Sequence, residues 1–274
     1  MDVSRGAVKS APVVARFDDG RHWRAKIGLV VLAMEQTVED DAVTLTPPGI
    51  GIHFSRIAMS NDATVETLGA MAPGITASAG LLLPEDHLDV VSYTCNSGTM
   101  VIGEDGVMAA LSAAKPEAKP TTVMTSVVRG LHAVGARRIV VTTPYLDEVN
   151  DYVLAFLEMH GFEVLDIQGL NIRENTAIDR IEPEFMREFA RGLDRPDADA
   201  VFVCCGALRT LDITGALEAD VGKPVVVSNQ AMMWDCLRLA GIEDVIKGYG
   251  RLFELDCAAH NAVVGRATRA TRAA

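Results

Sequence analysis

The chain has 274 residues, 49% of them hydrophobic and 23% charged, enough to bury a large core in one domain or two moderate ones. Its net charge of −12, from 25 Lys and Arg against 37 Asp and Glu, argues against nucleic acid and anionic membranes as partners, because both need a basic face. No apolar run approaches the roughly 18 residues that span a bilayer. The first twenty residues carry no hydrophobic signal region, so a cytoplasmic protein with reduced thiols is expected.

Residues 1–24 read as an irregular arm. "KIGLVVLAM" (26–34) is an unbroken apolar, β-branched run that suits a parallel sheet covered on both faces. "GIGIHFSRI" (49–57) follows a Pro-Pro-Gly turn as a second strand. Helical spacing begins at Asn61, with Val65, Leu68, Met71 and Ile75 on one face and a kink at Pro73. "HLDVVSYT" (87–94) is a strand and 101–114 a helix. The Pro-containing segment 115–120 is the best domain boundary. Beyond it the spacing predicts a helix over 121–135, a strand at "RRIVVTTPY", a helix over 147–160, and a strand at "FEVLDIQGL". A helix over 183–193, the strand "DAVFVCCG", a helix over 212–221, the strand "KPVVVSN" and a helix from Gln230 to about Ala240 complete the series. Strand and helix alternate throughout, which predicts an α/β fold with parallel sheets.

The two halves share a rhythm. "VVSYTCNSGT" and "VFVCCGALRT" are each a strand ending in Cys, then small residues, then Thr, as in a duplicated unit. Ligands of such sheets bind beyond the carboxyl ends of the strands, where Cys95 and Cys205 fall. A Cys in an apolar strand is usually packing, and Cys204, Cys236 and Cys257 fit that reading. Cys95 and Cys205 form a matched pair, each before a turn whose amides would lower a thiol pKa and bind anions. Two such thiols across a cleft could attack, deprotonate or reprotonate a carbon. No zinc spacing, phosphate loop or dinucleotide fingerprint is present.

With "CNSGT" (95–99), "TPY" (143–145), "CGALRT" (205–210), "PVVVSNQAMMW" (224–234) and "GYGRLF" (248–253), the chain resembles the aspartate/glutamate racemase superfamily. The resemblance runs over about 26–253, to the branch of maleate cis–trans isomerase, arylmalonate decarboxylase and the ectoine-utilisation proteins, the last being nearest in wording. It implies two similar flavodoxin-like α/β domains related by a pseudo-twofold axis, with the site in the cleft between them. The first domain would be 25–117 plus 229–274 and the second, inserted, 118–228. It implies Cys95 and Cys205 as catalytic residues and no cofactor or metal. Asn96, Ser97, Tyr145, Gly206, Ala207 and Asn229 would bind a small carboxylate substrate. A homodimer or homotetramer is implied too. Ser97, Thr99 and Asn229 also fit as helix N-caps, Tyr145 as a strand-end residue, and Arg209 as half of a structural ion pair.

Racemases of the superfamily use both cysteines as acid and base. Decarboxylases keep only the second, and maleate isomerases use the first as a nucleophile. Both are present here, so the resemblance implies an isomerase or racemase, maleate isomerase-like or acting in ectoine or hydroxyectoine degradation. A cofactor-free decarboxylase and a non-enzymatic carboxylate-binding protein are the alternatives. One departure stands out. "LAMEQT" (32–37) replaces the family's Pro-Ser-Ser-Asn-Thr, so Glu35 stands where an Asn touches substrate. A carboxylate there would repel a dicarboxylate. Glu35, or Gln36 if the alignment slips by one, would instead face a cationic or neutral group such as an amine or cyclic amidine. A solvated helix-start acid is the plainer reading.

Overall fold

The computed structural model describes residues 10–271, with side chains as far as residue 265. Of the arm expected over 1–24, residues 1–9 fall outside the described residues, and residues 10–20 run without helix or strand.

The first half of the chain builds β1 (Ala25–Leu32), α1 (Val38–Thr44), β2 (Ile50–Ile57), α2 (Val65–Gly69), α3 (Ile75–Gly80), β3 (Val90–Tyr93), α4 (Asn96–Ile102), α5 (Glu104–Ala114), β4 (Lys119–Thr122) and α6 (Val123–Ala133). The second builds β5 (Arg138–Thr143), α7 (Asp147–Met159), β6 (Glu163–Gly169), α8 (Asn175–Ile178), α9 (Pro183–Leu193), β7 (Ala200–Val203), α10 (Thr214–Val221), β8 (Val225–Val227) and α11 (Ser228–Leu239), and α12 (Cys257–Thr271) closes the chain. Each half makes one four-stranded sheet, in the order β2-β1-β3-β4 and then β6-β5-β7-β8. Every pairing in both sheets is parallel. The two orders are the same order repeated, which makes β3 and β7 equivalent strands.

Sheet composition follows burial. Ile27, Leu29, Val30 and Val31 of β1 are all fully buried, so consecutive side chains on both faces meet protein, the condition for an all-parallel sheet. Strand β4 is not signalled by the sequence because it carries Pro120. As the last strand of its sheet it tolerates the missing N–H. The first sheet therefore runs to Thr122, past the division expected at 117/118. The single helix expected over 101–114 is two helices, because Gly103 takes φ 95° between them. Its first part begins earlier, at Asn96, directly after Cys95.

Helices α6 and α11, which follow the equivalent strands β4 and β8, pack on one another, and α12 packs on both. A buried charge cluster fixes this junction. Asp235 of α11 is bonded by Arg129 of α6 at 2.8 Å, by His260 of α12 at 2.6 Å, and by the Thr121 and Ser126 hydroxyls at 2.8 and 2.9 Å. Burial alone would push the Asp235 carboxyl up. Arg129, then His260 and Thr121, reverse that and hold it at about 2. Among the described residues no helix is long and apolar enough to cross a membrane.

Candidate functional site

Strand β3 delivers Cys95 to the mouth of its sheet, and the thiol itself caps the next helix. Its Sγ accepts the Gly98 N–H at 3.1 Å, and the Ser97 hydroxyl lies 3.7 Å away. Gly98 is needed for this approach: a Cβ there would lie 2.7 Å from the Tyr93 hydroxyl and 2.9 Å from the Cys95 sulfur. Thr99 bonds its hydroxyl back to the Cys95 carbonyl at 2.7 Å, so neither Ser97 nor Thr99 is the N-cap.

Strand β7 delivers Cys205 in the same way, but at a backbone φ of 138°, a left-handed region where a side chain is strained. Its N–H is held by the Ser228 hydroxyl at 3.0 Å, at the start of α11. The Tyr145 hydroxyl and the Ala207 N–H address its sulfur.

The amides expected around the two thiols are present, yet the expected lowering of their pKa does not follow. Burial pushes Cys95 up, and the Gly98 amide, Ser97 and Tyr93 reverse it only in part, with Glu35 adding to the rise. Burial likewise pushes Cys205 up to about 12, against the pull of Tyr145 and the Ala207 amide. Both thiols are buried and close enough to feel Glu35, and the desolvation of a thiolate outweighs the donors. At neutral pH both thiols carry their protons.

Asn96 and Gly206 line the cleft with the thiols and also join the two halves of the chain, while Asn229 lies outside it. Asn96 is 2% exposed; its Nδ2 donates to the Ser228 hydroxyl at 2.9 Å, and its Oδ1 accepts the Gly206 N–H at 3.1 Å. Each end of its amide, and the Gly206 amide with them, thereby makes a bond that joins the two halves. Asn229 does not line the cleft: its Nδ2 donates to the Gly206 carbonyl and to Asp41 Oδ2, both at 2.8 Å. Arg209 has no ion pair among the described residues and lies away from the cleft, donating to the Ile181 carbonyl at 3.0 Å.

Cys95, Ser97, Tyr145, Cys205 and Ala207 line one cleft, and Glu35 lines it with them. Glu35 does stand at a helix start, its Oε1 accepting the Thr37 and Val38 amides at 2.6 and 3.0 Å. It is buried rather than solvated, at 4% exposure, and burial raises its pKa in spite of those amides. Gln36 turns away and donates to Asp179 at 3.0 Å.

Sequence reasoning missed Asn175, which reaches the cleft from the short helix α8. The loop before that helix is tied to the first half of the chain. Asn175 N–H donates to the Asn61 carbonyl at 2.9 Å, Ala63 N–H to the Arg173 carbonyl at 3.0 Å, and Arg173 pairs with Asp62 at 3.0 Å. This strap, with Met59 and Ala63 beneath it, leaves a cavity of only about 20 Å³ beside the thiols, room for about one water. No sequence motif marks either segment. Among the described residues, no group of three or more His, Cys, Asp or Glu side chains is placed to hold a metal ion.

Residues 104–253 match the arylmalonate decarboxylase family. A maleate isomerase of Nocardia farcinica is 30% identical over 246 residues, covering 85% of this chain and 97% of that protein. An arylmalonate decarboxylase of Bordetella bronchiseptica is 38% identical over 152 residues, 53% of this chain and 63% of the other. Among solved structures, a cysteine-to-serine mutant of the Nocardia farcinica maleate cis–trans isomerase with a covalently bound succinylcysteine intermediate superposes with a TM-score of 0.78. It is 26% identical and is matched over 84% of this chain and 98% of that one.

Proposed function

The chain belongs to the arylmalonate decarboxylase and maleate isomerase family of cofactor-free, cysteine-dependent isomerases and decarboxylases, and on that footing we propose that it is an isomerase acting at the carbon next to a carboxylate through Cys95 and Cys205. The observation that carries this reading is the pair itself. Equivalent strands bring two thiols to one cleft, with unequal sets of donors around them.

The inequality suggests a division of labour. Cys95 is addressed by the Gly98 amide and two hydroxyls and sits at the start of α4, so it is the better placed to become a thiolate once substrate and water enter. Cys205, at about 12, stays protonated and neutral at neutral pH and would serve as a proton donor. On an unsaturated carboxylate, the Cys95 thiolate would add to one alkene carbon and the electron pair would move into the carboxylate as an enediolate. Cys205 would protonate the neighbouring carbon, leaving a thioether whose central bond rotates. Return of that proton to Cys205 and expulsion of Cys95 would then give the isomer. On a saturated substrate the same pair would remove and replace an α-proton. Tyr145, Ser97 and the Ala207 amide supply neutral donors for the developing negative charge.

The test uses Cys95→Ala and Cys205→Ala proteins with maleate and other small carboxylates in D₂O, followed by NMR and intact-protein mass spectrometry. Addition chemistry predicts a covalent adduct that disappears in Cys95→Ala and persists in Cys205→Ala. Turnover that survives both substitutions sinks the proposal. A decarboxylase is the second reading, favoured by the family match over 104–253, which holds Cys205 and Tyr145 and leaves Cys95 outside. Against it, the alignment with maleate isomerase covers 85% of the chain, a span that must include both cysteines. Release of CO₂ from an arylmalonate by Cys95→Ala protein would establish the second reading.

A further inference from the structure

The cleft is charged in one sense only. Among the described residues no Lys, Arg or His lines it, and Glu35 is the carboxyl that does. Glu35 Oε1 is committed to the Thr37 and Val38 amides, and the Gln36 amide also addresses the carboxyl. The nearest cation is already spent. Arg56 of β2 gives Nη1 to the carbonyls of Leu32, Ala33 and Glu35, and Nη2 to Glu39 at 2.9 Å.

Two further carboxyls stand close enough to feel Glu35, and neither relieves it. Asp41 of α1 is pushed up to about 7 and Asp179 to about 6, each by burial first and by the Glu35 charge as well. Asp179 is 7% exposed and its Oδ1 has no partner, although Arg180 beside it pulls the other way. From the second half of the chain, Asn175 is also 7% exposed, lines the cleft, and leaves its Nδ2 donor unpaired. A buried unpaired donor is costly and calls for an acceptor, and a buried acid with no counter-ion calls for a cation. The thiols, both protonated, supply neither.

We propose that the cleft takes a small carboxylate that also carries a cationic nitrogen, an ammonium or amidinium, with Glu35 selecting the nitrogen and Asn175 donating to the carboxylate. The proposal rests on the reading that the cleft between Cys95 and Cys205 is the substrate site, and it names the substrate class. A dianion such as succinate or maleate meets Glu35 with no cation to offset it. A zwitterion brings its own. Burial raises the Glu35 pKa, and an arriving cation would oppose that rise. Arg56, Asp41, Asp179 and the two thiols are the other charged or titratable groups that interact with this carboxyl.

Titration calorimetry at neutral pH tests this with three probes of similar size: 3-aminopropanoate, succinate and propanoate. Wild-type protein is expected to bind 3-aminopropanoate at least about tenfold more tightly than succinate. Glu35→Gln keeps an oxygen for the Thr37 and Val38 amides, so α1 should stay capped. That variant should bring the two affinities to within about threefold. Asn175→Ala should weaken all three probes by a similar factor and leave their ratios alone. Succinate binding as tightly as 3-aminopropanoate, a ratio unmoved by Glu35→Gln, or no binding of the zwitterion at tens of millimolar each overturns the proposal. The two-thiol chemistry fails separately. A cleft that prefers the zwitterion but shows no cysteine-dependent exchange or adduct refutes that chemistry and leaves the charge selection standing.

Discussion

The Asn96 side-chain oxygen accepts the amide proton of Gly206 at 3.1 Å, so the residue after one thiol holds the residue after the other. Its other end reaches Ser228, which holds the Cys205 amide. Asn96→Ala should cost about 1–3 kcal/mol, the penalty for leaving buried partners unmade, read in urea unfolding. Turnover should fall with it. Unchanged stability with a raised KM would return Asn96 to the substrate.

The Cys205 thiol should mark the alkaline limb of stability. Its folded pKa is about 12 against 9.0 in the open chain, so its contribution is complete below pH 9 and is lost as pH rises toward 12. Unfolding free energies of wild type and Cys205→Ser should diverge over that window, with the serine protein declining less steeply. Parallel curves would show that water reaches the sulfur.

Asp235 should govern the acid limb in the opposite sense. Held at about 2 against 3.8 unfolded, it contributes stability above pH 3.8 that is lost as pH falls to about 2. The expected size is about 2 kcal/mol from the shift of the carboxyl. Asp235→Asn should flatten that part of the curve and, by stranding Arg129 and His260, lower stability at neutral pH.

Gly98→Ala tests the packing around Cys95. The added methyl must displace the Tyr93 hydroxyl or the Cys95 sulfur, so the variant should fold but lose most of its turnover. Thermal unfolding and thiol alkylation would report the two effects separately.

The strap between the halves should control access. Arg173→Ala removes the exposed pair with Asp62 that steadies the backbone bonds around Ala63 and Asn175. It should speed alkylation of Cys95 severalfold without moving the melting temperature. An unchanged rate would mean that entry lies elsewhere.

Alternation of apolar runs with helical periods was enough to read the two parallel sheets and their duplication, because both faces of β1 and β7 are buried and the run is unbroken. The two cysteines and Glu35 were legible too, the first from matching strand ends and the last as a departure from a family pattern. What sequence could not carry was competition. Asn96 and Gly206 line the cleft, and they are also bonded to each other, a contact spanning 110 positions that no local pattern announces. Thiol acidity failed for the same kind of reason, since amide donors are local and visible while burial is collective. Asn175 carries no local signal at all and reaches the cleft only through the strap.

Repetition of one strand order places two sulfurs in one cleft by the same local route, so neither strand confers a direction on the reaction. Direction resides in what surrounds them: Tyr93, Ser97 and the Gly98 amide for one, Tyr145 and the Ala207 amide for the other. Under the proposed two-thiol chemistry, handedness would be a property of these hydroxyls and amides rather than of the sulfurs. On that proposal, exchanging a phenol for a phenyl on one side would change the preferred face while both sulfurs stay where they are.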